Sequence, residues 1–390
     1  MNVDFQDIAN WLLNNANQHA DLRALTDQLV VRLRTAGMPI DRLNLGVLAL
    51  HPEMAGYAVH WESGMDAAIE VPIRREDLLK PTYLDSPIRY VVEENVSVNF
   101  DLRDTSTSPN FPVLKEFREK GYCQYLGFPI QYGDNGSAVL TLCTANPNGF
   151  DPSQTQDIQQ IFRILSLLLS VVETKRLAQT LLRTYLGRYT ADRVLAGEIL
   201  RGEGRRVQAA IWMCDLRGFT AMTAQVGSFN MIDTMNQYFD CMAQAIWKEG
   251  GEILKFMGDA MLVVFPINDE NTASAAVNRA VRAAIQALTD LKVVSAARVA
   301  EGLMPLHAGI AVHIGEVLYG NIGASTRLDF TVMGHAVNVV ARIQTLAGKL
   351  NEEILFSSEV ARHLEHSHVS VGQHQFKGIS APEEIFKLVE

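Results

Sequence analysis

Apolar side chains recur at Ile8, Leu12 and Leu13, then at Leu22, Leu25, Leu29 and Leu33. That three-and-four spacing over residues 5 to 35 predicts two helices, each with one face to bury. Strand-like runs follow: LNLGVLAL and AGYAVHW, separated by HPEM, and then GYCQYLGFPIQY, which leads through the turn GDNG into SAVLTLCTA. The last pair is a strong hairpin signal. The stretch between the two pairs, including DTSTSPNFP, reads as loop. After Asp151 and Pro152, a helix start, Ile158, Ile161, Leu165, Leu168 and Val172 repeat at three and four residues. A helix packed on its own domain would show that spacing, and so would a coiled-coil seam between two chains. The seam is the preferred expectation, because the helix continues through ETKRLAQTLLRTYL. Residues 185 to 206, YLGRYTADRVLAGEILRGEGRR, read as a charged, glycine-punctuated connector.

From Val207 the pattern changes. VQAAIWMC reads as a buried strand, SFNMIDTMNQYFDCMAQAIWKEG as a helix, GEILKFMGDAMLVVF as two strands around a Gly-Asp turn, ENTASAAVNRAVRAAIQALTDL as a second helix, and LHAGIAVHIGEVLYG as strand again. This β-α-β-β-α-β order is that of a ferredoxin-like sheet, in which the third strand lies antiparallel between the first and second. The end of the first strand, at Asp215, would then lie beside the start of the third, at Asp259.

Composition narrows the frame. A chain of 390 residues with 48% hydrophobic residues exceeds one core and predicts two domains. With 34 basic and 44 acidic residues the formal charge is −10, which argues against nucleic acid and anionic membrane as partners. The four cysteines, Cys123, Cys143, Cys214 and Cys241, form no CxxC pair, so neither a disulfide framework nor a thiolate zinc site is expected, and a reducing cytoplasm fits best. MNVDFQDIANWLLNNANQ does not read as a signal peptide. The longest apolar stretch, Ile161 to Val172, contains Arg163 and is too short to span a bilayer.

Several residues carry candidate chemistry. Asp215 and Asp259 each end a hydrophobic strand in or beside a turn. Either alone reads as a cap or turn residue. Two carboxylates brought to one sheet edge repel unless a cation joins them, and an incomplete oxygen cage finished by substrate phosphate suits magnesium. After Asp215, the glycine of Leu216-Arg217-Gly218-Phe219-Thr220 lets backbone N–H groups curl around phosphate oxygens. LDFTVMGHAVNVVARIQTL runs from strand through Gly334 into a helix whose Asn338 and Arg342 stand four apart on one face. Arg342 offers a planar, permanently charged fork to a phosphoryl group.

The front of the chain, roughly residues 5 to 172, resembles the GAF type of sensory domain in layout: an antiparallel sheet, flanking helices and long loops over one face. No diagnostic motif or ligand accompanies that likeness. Residues 205 to 390 resemble the class III nucleotide cyclases through DLRGFT, K-F-M-G-D, GHAVNVVAR and FKG, in that order. The expected architecture is α+β: a GAF-like α/β sandwich at 1–172, a helical linker or transducer at 173–206, and a ferredoxin-like cyclase catalytic domain at 207–390.

The cyclase resemblance implies that Asp215 and Asp259 hold two Mg2+ or Mn2+ ions, that a metal helps deprotonate the ribose 3′-OH, and that this oxygen attacks the α-phosphate as pyrophosphate leaves. It implies that Asn338 orients the ribose, Arg342 stabilises the transition state, Lys377 holds the terminal phosphates, and Gly218, Phe219 and Thr220 lie along the substrate. Lys255 matches the lysine of adenine-specific members where guanine-specific ones commonly carry Glu, and Thr331 occupies the second base-selecting position, as in a Lys/Thr subgroup. ATP is therefore the expected substrate and cyclic AMP the product. Guanylate cyclase is the nearest rival, and a silent nucleotide-binding module would have lost residues that are present. His335 replaces the usual Asp after the glycine, and Met257 is a modest variation. In this family one domain supplies the metal carboxylates and its partner the base, Asn and Arg residues, which implies a homodimer with shared sites. A small molecule or protein, unidentified by sequence, is the expected effector of the front domain.

Overall fold

A computed structural model of the protein describes all residues except 1–4, 16–20, 50, 52, 105–109, 134–135, 226–227, 268–271 and 390. Parts of HPEM, DTSTSPNFP and the GDNG turn, and the start of the helix written from Glu270, therefore lie outside the described residues. The chain divides into two units, Met1–Leu181 and Leu182–Glu390.

In the first unit, α1 (Phe5–Asn15) and α2 (Leu22–Thr35) match the two expected helices. Asp21 caps α2 by accepting from the Arg23 amide. The strands are β1 (Arg42–Leu48), β2 (Met54–Glu62), β3 (Ile69–Arg74), β4 (Val98–Asp101), β5 (Gln124–Tyr132) and β6 (Gly136–Thr144). They form one antiparallel sheet in the order β3-β2-β1-β6-β5-β4. The loop-rich stretch at 62–121 contains, among its described residues, β3, a 3₁₀ turn at Arg75–Leu79, α3 (Pro81–Leu84), α4 (Pro87–Glu94), β4 and α5 (Pro112–Glu119). The helices are one or two turns long, with Pro at their starts supplying the entry geometry, so no periodicity develops.

The long helix α6 (Pro152–Leu186) corrects a second expectation. Ile158, Ile161, Leu165 and Leu168 are at most 2% exposed, inside a core they share with α1, α2 and one sheet face. The seam is thus satisfied within the unit and is closed to a second chain. On the other side of α6, Leu167 and Val171 are 65% and 55% exposed. With Ile164, Thr174, Ala178 and Leu181 they make another three-and-four row, displaced by one position from the predicted one.

The second unit begins with α7 (Arg188–Leu195), a helix inside the expected connector. Buried Thr190 anchors it, donating its hydroxyl and amide to Glu252 at 3.0 and 2.9 Å, while the Tyr319 hydroxyl donates to the same carboxylate at 3.1 Å. Then come β7 (Gly204–Leu216), α8 (Phe219–Gln225), α9 (Ser228–Lys248), β8 (Glu252–Met257), β9 (Ala260–Pro266), α10 (Ala273–Ala300), β10 (Ala308–Ala324), β11 (Arg327–Met333), α11 (His335–Leu350), β12 (Ile354–Ser357), α12 (Ser358–Ala361), β13 (His368–His374) and β14 (Glu383–Leu388). The sheet order β13-β14-β12-β10-β7-β9-β8 contains the expected ferredoxin-like core, with β9 antiparallel between β7 and β8. Helices α9 and α10 cover one face over Trp212, Met261 and Phe265, and α11 covers the other through Val339, Val340 and Ile343. β11 folds back on β10 as a hairpin.

Three of the four thiols, Cys143 in the first unit and Cys214 and Cys241 in the second, are buried, and Cys123 is half-buried. Among the described residues no helix is long and apolar enough to cross a membrane.

Candidate active site

The site starts from two strand ends. β7 carries an unbroken buried run from Ala209 to Cys214 and then delivers Asp215, opposite Gly309 of β10. β8 and β9 turn at Gly258-Asp259, where Gly258 takes φ +68°, a left-handed conformation that side chains resist. Because Cys214 pairs with Met261, that turn sits beside the end of β7. Half-burial, followed by a hydrogen bond and like charge from Asp259, pushes the Asp215 carboxyl from its ordinary 3.8 up to about 6. Behind Asp215, fully buried Tyr238 donates its hydroxyl to Cys214 Sγ at 3.1 Å.

The two carboxylates fit a divalent cation. They are hard oxygen donors held together against their own repulsion, and among the described residues no set of three or more His, Cys, Asp or Glu converges into an all-protein cage. Substrate oxygens would have to finish the coordination, the arrangement magnesium and manganese favour.

Without metal the pair has a measurable sign. Asp215 titrates at 3.8 in an ordinary setting and at about 6 when folded. Its stability contribution is complete below about pH 4 and is lost as pH rises through 6. In the presence of a chelator, the melting temperature of Asp259→Asn should therefore lack the part of the pH 4 to 7 decline that the wild type shows. Parallel calorimetric pH profiles for the two proteins would count against the pairing.

The turn after Asp215 is held from outside. Gly218 adopts φ +72°, and Phe219 and Thr220 begin α8. Arg217, which the sequence reading left without a role, donates to the Asn351 side chain and to the Ala347 and Glu352 carbonyls at the end of α11. Gln344 of α11 donates to the Gly309 carbonyl at 2.9 Å, opposite Asp215. The turn after Asp215 and α11 are thus tied together by two side chains to which the sequence assigned no role.

Lys255 and Thr331 lie on strands that approach one another. Half-buried Lys255 lies on β8 just past a bulge, and β11 comes against β8 while pairing Thr331 with Gly320. The Thr331 hydroxyl is buried with no hydrogen-bond partner. Among the described residues Lys255 makes no ion pair.

Asn338 and Arg342 are exposed on α11, whose other side is buried. Among the described residues neither makes a hydrogen bond or ion pair, and no contact joins Arg342 to Asp215 or Asp259. His335 opens the helix behind Gly334, which supplies no side-chain cap. Lys377 stands in a turn with Gly378 at φ +86°, between buried Phe376 and Ile379. Gln375 Nε2 closes that turn on the Ile379 carbonyl at 2.6 Å.

A ferredoxin-like core with paired carboxylates at one edge and a cationic helix face defines a class. Residues 204–388 match the adenylate and guanylate cyclase catalytic domain family, and this segment is a class III adenylate/guanylate cyclase catalytic domain. An adenylate cyclase of Anabaena cylindrica is 33% identical over 156 residues, which covers 40% of this chain and 30% of that protein. An uncharacterized protein of Mycobacterium tuberculosis is 29% identical over 234 residues, covering 57% of this chain and 40% of its own length. The chain therefore spans less than half the length of these curated relatives. The crystal structure of the adenylyl cyclase CyaB from P. aeruginosa is 31% identical with a TM-score of 0.45, covering 48% of this chain and 96% of that one.

Proposed function

We propose that the protein is an adenylate cyclase that converts ATP to 3′,5′-cyclic AMP and pyrophosphate, acts as a homodimer, and is regulated through a GAF-like sensory domain at residues 1–172. The ATP reading is carried by one observation: Lys255 and the buried hydroxyl of Thr331, neither with an ion-pair or hydrogen-bond partner among the described residues, stand on strands that approach one another. Adenine offers an acceptor at N1 that a lysine ammonium satisfies and an exocyclic amine that a hydroxyl oxygen accepts. Guanine instead presents an N1–H donor, which a lysine ammonium would oppose, and an O6 acceptor in place of the exocyclic amine.

In this reading Asp215 and Asp259 hold two Mg2+ or Mn2+ ions. When bound, these supply Lewis acidity toward the ribose 3′-hydroxyl and the phosphate oxygens. The 3′-oxygen releases its proton to solvent water and forms a bond to the α-phosphorus while the bond from that phosphorus to the oxygen bridging to the β-phosphate breaks and pyrophosphate leaves. Asn338 fixes the ribose for that approach. Arg342 meets the charge that develops on the α-phosphoryl oxygens. The backbone at Gly218, Phe219 and Thr220 lines the phosphates, and Lys377 takes the terminal ones.

A second copy is supported by what stays uncovered. Phe256 and Met257, beside Asp259, are 54% and 39% exposed, and Leu328 and Met333, flanking Thr331, are 37% and 43% exposed. Apolar surface around both half-sites, with Arg342 lacking a partner among the described residues, suits closure by another chain. The outer row of α6, with Leu167 and Val171, offers a further contact.

Purified protein given ATP or GTP with Mg2+ or Mn2+ should show kcat/KM for ATP above that for GTP by roughly tenfold to a hundredfold, and Lys255→Glu should erase or reverse the preference. Equal use of the two nucleotides by the wild type would sink the ATP assignment.

A further inference from the structure

The two faces of the first unit's sheet are built differently. Toward α1, α2 and α6, β1 presents Leu43, Leu45 and Val47 into a filled core. On the other face the alternating positions are Arg42, Asn44 and Gly46, joined by Ala58 of β2 and Thr141 of β6. Small or polar residues at the centre of a sheet leave space under the elements that cross it, here the 3₁₀ turn, α3, α4 and α5. The result is a chamber of about 270 Å³.

Its walls divide into two parts. Ile88, Val92, Val113 and Phe117 make an apolar cover, whereas Arg42, Asn44, Tyr125 and Thr141 gather at the floor. The hydroxyls of Tyr125 and Thr141, residues only 1% and 0% exposed, neighbour one another, and among the described residues neither meets a partner in good hydrogen-bond geometry. Buried polar groups are ordinarily satisfied, and these two face a space that can hold the missing partner.

Charge narrows the occupant. Among the described residues Arg42 is the one cation of the lining. Its guanidinium lies 4.7 Å from the centroid of the Phe117 ring and beside the Cys143 thiol, and among the described residues it makes no ion pair with a carboxylate. Its cross-strand neighbour Glu62 is engaged instead by the Tyr122 hydroxyl at 2.6 Å, by His60 at 3.4 Å and by Lys120 at 3.7 Å. The one carboxylate of the lining, Asp77, is satisfied by the Arg74 amide and by Lys80, each at 2.7 Å. A guanidinium that no carboxylate neutralises among the described residues, set among hydroxyls and an amide, matches a single carboxylate, whose two oxygens suit the guanidinium fork. A phosphate dianion would leave a charge uncompensated, and the aromatic and aliphatic cover asks for a ring.

We infer that this chamber binds a small cyclic monocarboxylate, with its carboxylate on Arg42, Asn44 and Thr141 and its ring against Phe117. If the first unit regulates cyclisation as proposed above, this compound class is the effector; the binding site stands without that reading.

Calorimetric titration of the full chain with benzoate and with indole-3-acetate, beside the neutral benzamide and indole-3-acetamide, tests it. At least one carboxylate should bind saturably, one per chain, and at least tenfold more tightly than its amide. Arg42→Gln should weaken that carboxylate by tenfold or more, and Thr141→Val, which keeps shape and removes the hydroxyl, by several-fold. Ala58→Leu should fill the chamber and abolish binding while keeping a wild-type melting temperature. The inference is overturned if neither carboxylate binds at millimolar concentration, if the amides bind as tightly, or if folded Arg42→Gln and Thr141→Val bind like the wild type. Cyclase rates measured in the same titrations separate the two readings. Saturable binding with an unchanged rate keeps the site and removes the regulatory role, whereas absence of binding removes the site whatever the rate.

Discussion

Asp259→Asn is expected to reduce cyclase turnover by on the order of 10³-fold, several kcal/mol of lost charge stabilisation, while leaving the protein at least as stable as the wild type. The reasoning joins packing to chemistry. Asparagine keeps the shape of the Gly258-Asp259 turn and removes the like charge that lifts the Asp215 carboxyl to about 6. Folding should therefore benefit from the change that removes half of the cation's anchorage. Steady-state cyclic nucleotide formation and calorimetry on one preparation decide the matter. Retained turnover would mean that the pair does not hold the catalytic ions. Lost turnover with a lowered melting temperature would mean that Asp259 serves the fold.

The second large effect concerns Arg342. Arg342→Ala should cost roughly 10² to 10³-fold in kcat, the scale of removing one preorganised charge partner from a transition state. Its exposed position on α11 and lack of partners imply little effect on stability. If sites are shared, mixing Arg342→Ala with Asp259→Asn should restore activity. Random exchange makes half the dimers mixed, each with one intact site of two, so about a quarter of wild-type activity should return. No recovery, with exchange of chains shown by mass-tagged protomers, would place all of the chemistry in one chain.

The catalytic unit was more legible than the first because its elements are long. VQAAIWMC and AMLVVF are apolar enough to be read as central strands, and their order alone places Asp215 beside Asp259. The α6 row was legible in period and not in side. Ile161, Ile164, Leu165, Leu167, Leu168 and Val171 leave the helix apolar over most of its circumference, so two rows one residue apart satisfy the same spacing. Only the position of the sheet decides which is covered. α7 was hidden in a charged stretch because only Thr190, Ala191 and Val194 turn inward, too few apolar positions to make a periodic signal. The ties made by Arg217 and Gln344 run between distant segments and reach backbone carbonyls, which carry no sequence signature. The chamber was illegible for a related reason, since it is made by what Gly46 and Ala58 leave unfilled.

The placement of the thiols has a practical consequence. Burial pushes Cys143 and Cys214 up to about 12, so neither presents appreciable thiolate in the folded state. An alkylating reagent can reach Cys143 only when the first unit opens and Cys214 only when the second does. Peptide-resolved labelling along a denaturant series thus follows each unit through its own native residue, without an introduced probe, and reveals whether the two halves melt together or in turn.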